Sequence, residues 1–134
     1  MEIRFGNILL RSALPSDAPM LARWWNDGTV MAHAGFPKGL GITEEEVLHG
    51  IGEGLLIIEE DGKSIGEASF CALDETRAEM GIKICAFECQ NRGLGRTVLS
   101  MLIRHLFDVG FEKIMLDTNL SNVRAQHVYE SLGF

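Results

Sequence analysis

Residues 90–107, QNRGLGRTVLSMLIRHLF, restrict what this chain can fold into more than any other stretch. Gly93 and Gly95 stand between Arg92 and Arg96, and an apolar stripe follows at Leu94, Val98, Leu99, Leu102, Ile103, Leu106 and Phe107. Steps of three and four residues put that stripe on one broad face of a helix. Upstream, in residues 79–85, Met80, Ile82 and Ile84 alternate with Gly81 and Lys83, the period of a strand. Downstream, Lys113 to Thr118 reads as another strand. A strand, a glycine turn, a helix and a returning strand form a crossover, and a crossover sets its two strands parallel. The chain is therefore of α/β class.

The turn also has a chemical consequence. The first N–H groups of a helix have no partner within it, and the helix dipole places partial positive charge there. Glycine removes the side chain that would keep a phosphate away from those N–H groups. Glycine equally serves tight packing of a helix start on a sheet, and the glycines alone leave both readings open. Two common phosphate motifs fail on the letters. A dinucleotide fingerprint needs a third glycine where Val98 stands, and a Walker loop needs Gly-Lys-Ser/Thr where Gly95-Arg96-Thr97 stands.

The rest of the chain builds a sheet around this unit. Ile8 to Leu10 reads as a short strand. Ser16-Asp17-Ala18-Pro19 reads as a helix start with Ser16 as N-cap, leading into Met20, Leu21, Trp24 and Trp25 and ending at Asn26-Asp27-Gly28. The two tryptophans are core packing or one wall of a pocket. Val30 to Ile42 reads as a glycine-rich loop carrying His33 and Phe36, long enough to suggest binding. His33 is a proton carrier there or a solvated loop residue. Thr43 and Glu46 form a capping box for a short helix through Val47, Leu48 and Ile51. Leu55 to Glu59 reads as a buried strand, Asp61-Gly62 as a hairpin turn, and Lys63 to Ala72 as the partner strand. A last helix from about Asn122 puts Ala125, Val128, Tyr129 and Leu132 on one face, with Gly133 as its stop.

Bulk properties narrow the function classes. The chain has 134 residues, enough for a single domain over 1–134. No apolar run approaches the roughly 18–20 residues of a membrane span. MEIRFGN lacks the basic and apolar regions of a secretory signal. Cys71, Cys85 and Cys89 show no metal-ligand spacing, so reduced thiols in a cytoplasmic protein are expected and no metal is. A net charge of −7 weighs against a nucleic-acid binder and suits a cationic small partner.

Two motifs carry a family resemblance. Gln90-Asn91-Arg92-Gly93-Leu94-Gly95 resembles the coenzyme A pyrophosphate loop of the GNAT family of N-acetyltransferases, and residues 122–134, NVRAQHVYESLGF, resemble its second signature, N-x-x-A-x-x-x-Y-x-x-x-G-F. The resemblance spans essentially the whole chain and is nearest to the branch acting on ribosomal-protein N-termini and similar amines. It implies a mixed, mostly antiparallel central sheet with a parallel pair at the cofactor site and flanking helices. In that family about two further strands follow the position of Phe134. Here they are expected to be missing, which would leave a sheet edge open to pairing with a second copy as a homodimer.

The activity implied is transfer of an acetyl group from acetyl-CoA to a primary amine (a protein N-terminus, a polyamine or an aminoglycoside) by direct attack with both substrates bound. A coenzyme A-binding module with impaired catalysis and a structural interaction domain are the alternatives. By resemblance, Ile84, Cys85, Ala86 and Phe87 would line the pantetheine arm where the parallel strands splay. Gln90, Asn91, Arg92, Gly93, Leu94, Gly95, Arg96 and Thr97 would hold the phosphates, and Asn122 and Ala125 would meet the arm from the other side. Tyr129 matches the tyrosine that gives a proton to the departing thiolate, a role open to a phenol with an ordinary pKa near 10. Its bland reading is core packing. Asp117, and after it Glu79, are the candidate bases. Trp24, His33 and Phe36 would border the acceptor. An acyl-enzyme on Cys89, near a helix start, is a minor possibility.

Overall fold

A computed structural model of the chain describes residues 1–32, 35–52, 54–89, 92–116 and 123–133. Six strands form one sheet in sequence order: β1 (Glu2–Phe5), β2 (Ile8–Ser12), β3 (Leu55–Glu60), β4 (Lys63–Ala72), β5 (Arg77–Ile84) and β6 (Lys113–Leu116). Every neighbouring pair is antiparallel except β5 and β6, which run parallel in the register Arg77 to Lys113 through Met80 to Leu116. The crossover between them is α4 (Leu94–Asp108). The mixed, mostly antiparallel sheet expected from the sequence is thus present. The turn between β3 and β4 has positive φ at both Asp61 (52°) and Gly62 (81°), the conformation whose twist suits a two-residue hairpin.

Each sheet face has its own core. On one face α4 buries Val98, Leu99, Met101, Leu102 and Leu106 against Ile8, Leu10, Leu56, Ile58, Ala68, Ala78 and Met80. Helix α5 (Val123–Ser131) adds Val128 and Tyr129 to that cluster. The helical stripe differs from expectation at its end: Phe107 is exposed, and Met101 takes a buried place. On the opposite face α1 (Ala18–Asn26) and α3 (Glu44–Gly50) pack Leu21, Ala22 and Val47 over Ile57. At roughly 25 cal/mol per Å² of apolar area removed from water, these two layers are the main support of the fold.

Several local readings need correction. Ser16 does not cap α1. The chain makes a 3-10 turn over Pro15–Asp17 first, with Leu14 at its N-cap position. Asp17 accounts for this: its carboxylate accepts from the Leu14 N–H at 2.7 Å and from Arg11 of β2. Arg11 also binds Glu59 of β3, so a buried ionic cluster pins the turn to the sheet. The first helix does end at Asn26, with Asp27 as its C-cap, as read from the sequence. Asp27 accepts from Thr29 N–H and starts the short α2 (Gly28–Met31), which shortens the expected glycine loop. Strand β1 has no clear apolar alternation and was not expected from the sequence. The Thr43–Glu46 capping box is present at α3.

Candidate functional site

The site assembles where β5 leaves the sheet. Beyond Met80, strand β5 continues through Ile84 after its last described pairing with β6. At its end the N–H groups of Cys85 (2.8 Å) and Ala86 (3.0 Å) both donate to the carbonyl of Ile65. Two donors on one acceptor mark a bulge, which bends a strand and re-aims the residues beyond it. Gly66 makes this bend possible, because a Cβ there would lie 2.2 Å from the Lys83 carbonyl oxygen. A short 3-10 turn, Phe87–Cys89, then leads to the helix start.

Gly93 is the N-cap of α4, with φ +77°, a left-handed conformation that glycine adopts without strain. Among the described residues no side chain caps this helix end. The first bonds back are from Thr97, whose N–H and hydroxyl meet the Gly93 carbonyl at 3.2 and 3.3 Å. The N–H groups of Leu94, Gly95 and Arg96 therefore point outward from the helix start. The two glycines differ. A Cβ at Gly95 would meet Ile82 Cδ1 only at 3.5 Å, ordinary contact. Packing within the protein does not demand glycine at 95, whereas close approach of a phosphate to the helix amides does. The residues present fit a diphosphate.

Charges near the turn are already engaged. Arg92 is exposed and makes a two-pronged pair with Glu60 of β3, at 3.0 and 3.3 Å. Lys63 of β4 reaches Glu88 at 2.9 Å, so the β3–β4 hairpin braces the segment from both sides. Arg96 is exposed at the first turn of α4.

Ile84, Ala86, Leu94 and Tyr129 all pack against the same core cluster, which brings the end of β5, the start of α4 and α5 together. Tyr129 is half-buried, and burial pushes its phenol above the ordinary value, so it keeps its proton at neutral pH. Cys85 is buried among Val30, Met31, Trp24 and Trp25, and burial pushes its thiol up to about 12. Trp24 thus packs in the core beside the bulge. Phe36 is exposed on its loop, and Glu79 is exposed on β5. Gln90, Asn91, Asp117, Asn122 and His33 lie outside the described residues, as do the side chains of Phe87 and Ala125.

The sequence reading missed Glu67 and Lys83. They face each other across β4 and β5, with Lys83 Nζ 3.7 Å from Glu67 Oε1 and both side chains largely buried. Burial raises the Glu67 carboxyl above its usual range, against the pull of Lys83 and the neighbouring Trp25 indole. Each residue alone resembles the solvent side of a half-buried strand. The available signal was opposite charges at positions that pair once the hairpin register is fixed.

A glycine-lined helix start beside a parallel strand pair defines a class of α/β fold that holds a phosphate-bearing ligand against a strand end. Residues 18–134 match the Acetyltransferase (GNAT) family, and the chain belongs to it. It is an acetyltransferase with acetyl-CoA as co-substrate. In structure it is similar to an acetyltransferase of the GNAT family from Bacillus anthracis (TM-score 0.84, 19% identity, 99% of this chain and 82% of that one). It is also similar to the spermidine N-acetyltransferase of Vibrio cholerae, solved with CoA and spermine (0.81, 24%, 95% and 80%). A third similar structure is the ribosomal-protein-alanine N-acetyltransferase of Brucella melitensis (0.75, 20%, 92% and 82%). No curated protein matches the chain in sequence.

Proposed function

We propose that the protein moves the acetyl group of acetyl-CoA to a primary amine by direct attack, with both substrates bound together. The observation that carries this reading is the start of α4 at Gly93–Arg96, uncapped among the described residues and adjoining the bulged end of β5 at Cys85. The helix start suits the diphosphate, and the strand end suits the extended pantetheine arm. Acetyl-CoA supplies an activated thioester. The protein's share is to align the thioester with the amine, where effective molarities of about 10⁵ M or more are reachable. An enzyme nucleophile is not required, and the high-pKa Cys85 thiol is a poor one.

Tyr129 is the proton donor to the departing thiolate, a role supported by its half-buried place in the cluster that joins Ile84 and Leu94. Glu79, exposed on β5, passes the amine's proton to solvent; Asp117 is the second candidate base. The acceptor is a protein N-terminus or a small polycation, the kinds of amine named for the structurally similar enzymes. The test is release of free CoA with a panel of N-terminal peptides, polyamines and aminoglycosides. Turnover is expected with at least one amine, and Tyr129→Phe should lower kcat about 100-fold. No release from any amine overturns the reading.

A further inference from the structure

An open groove of about 250 Å³ lies on the sheet, lined by Ser69, Phe70, Cys71, Glu79, Met80 and Gly81. In register, Cys71 pairs with Glu79, Ser69 with Gly81, and Glu67 with Lys83. Those six side-chain positions share the face that carries α1 and α3, since Glu67 also pairs with Ile57 of the core beneath those helices. The groove floor at Gly81 is bare, because a Cβ there would meet nothing nearer than Ser69 Oγ at 3.8 Å. Beyond the groove's lining, the same face continues in register from Gly81 to the Glu67–Lys83 pair. This inner end adjoins Cys85, where β5 bulges.

At that inner end is an unmet hydrogen-bonding demand. Lys83 engages Oε1 of Glu67, while Oε2 is sealed from solvent and has no hydrogen-bond partner among the described residues. A buried acceptor left unsatisfied costs about 1–3 kcal/mol, more when charged, so such atoms call for a functional explanation. A primary ammonium brings three donors and a positive charge, the complement of this oxygen.

We propose that Glu67 is the carboxylate that receives the acceptor ammonium, with Glu79, in the groove farther out on the same face, guiding it in. The proposal rests on the acetyl-transfer reading above and deepens it. The ammonium hydrogen-bonds Glu67 Oε2 and gives it a proton. The freed nitrogen lone pair forms the N–C bond to the acetyl carbon as the C–S bond breaks, the sulfur takes the Tyr129 proton, and the nitrogen's second proton restores the Tyr129 phenol, which leaves a neutral amide. Glu67 then returns its proton to solvent by way of Glu79. Lys83 favours the ionised form of Glu67, against the larger effect of burial. Among the described residues, Cys85 on β5 lies within electrostatic reach of Glu67, and Asp27 before α2 lies near Cys85. Arg11, across Ile57 on β2, is taken up by Asp17 and Glu59.

The experiment compares wild type with Glu67→Gln, Glu79→Gln and Lys83→Met on the amine that works best in the CoA-release panel. Glu67→Gln should lower kcat about 100-fold and abolish the acid limb of the kcat/KM profile. Glu79→Gln should raise KM several-fold and lower kcat by a smaller factor than Glu67→Gln does, because both guidance of the ammonium and the exit of its proton are weakened. Lys83→Met should move the acid limb up by about one pH unit, because an opposite charge has gone from beside the carboxylate. Calorimetry of the amine binding to the CoA complex should show at least a tenfold loss in Glu67→Gln, with acetyl-CoA affinity unchanged. If Glu67→Gln turns over and binds amine within twofold of wild type, Glu67 is a structural partner of Lys83 and the inference is overturned. An acid limb unmoved in Lys83→Met overturns it as well, even where Glu67→Gln folds poorly. Wild-type enzyme inactive with every amine removes the acetyl-transfer reading itself, and this one with it.

Discussion

Single side chains set both chemistry and stability in this protein. Asp17 shows the second most clearly. Its carboxylate accepts from Arg11 at 2.7 and 2.9 Å and from the Leu14 N–H at 2.7 Å, with only 10% of the side chain exposed. Those partners hold its carboxyl below the usual carboxylate range, Arg11 foremost. A depressed folded-state pKa means that the stabilisation is complete above the unfolded value of 3.8 and is lost as pH falls through the folded one. Asp17→Asn should cost about 2 kcal/mol in urea unfolding at pH 7, less than a fully buried pair because the cluster retains some solvent contact. The difference from wild type should shrink below about pH 4. A constant difference down to pH 2 would show that packing, rather than charge, is lost. The same physics explains why Ser16 was a misleading capping signal: a buried arginine made Asp17, one residue on, the group that organises the turn.

At the scale of elements, legibility came from period and turn chemistry. The helix over residues 94–108, the Asp61-Gly62 hairpin, the Thr43–Glu46 box and the parallel crossover each have a local signature, and all are present. Strand β1 lacks one, since its Glu2–Phe5 run owes its place to pairing with β2. The Glu67–Lys83 pair was illegible for a related reason: a residue's burial depends on what packs over the sheet, and α1 and α2 arrive there from distant sequence. The glycine turn lay between these cases. Its existence could be read, but whether the glycines served a ligand or the packing could not. In the structure Gly93 has a positive φ whereas Gly95 has room for a Cβ, and this yields a paired prediction. Gly93→Ala forces a side chain into φ +77° and should destabilise the free enzyme by about 1–2 kcal/mol. Gly95→Ala meets only Ile82 at 3.5 Å, so the free enzyme should be unchanged or more stable by up to about 1 kcal/mol. Acetyl-CoA affinity should nonetheless fall at least tenfold in Gly95→Ala, measured by calorimetry. Unchanged affinity would mean that the phosphates do not approach this amide.

Across the whole molecule the two faces of the sheet divide the work. One face, with α4 and α5, gathers the start of α4, the end of β5 and Tyr129. The other, with α1 and α3, carries the groove at Glu79 and, beyond it in register, Glu67. The bulge at Cys85–Ala86 adjoins both, and it is the proposed meeting point of the thioester and the amine. The chain as a whole carries a net charge of −7, which favours a cationic acceptor and opposes a polyanionic co-substrate. In the proposed binding mode acetyl-CoA gains its binding locally, from helix amides and from arginines at the turn, and Arg92, now paired with Glu60, exchanges it for phosphate. Ligand at 100 times its Kd adds about 2.7 kcal/mol to stability. For a domain of this length that corresponds to a rise in melting temperature of roughly 10 °C. Acetyl-pantetheine, which carries the thioester arm without the phosphates, should give less than half that rise at equal concentration. Raising salt from 0.05 to about 0.5 M should shrink the acetyl-CoA shift and leave the pantetheine shift nearly unchanged, because only the former draws on exposed charges. Differential scanning fluorimetry makes the comparison directly, and equal shifts for the two ligands would show that the glycine turn contributes nothing to holding the co-substrate.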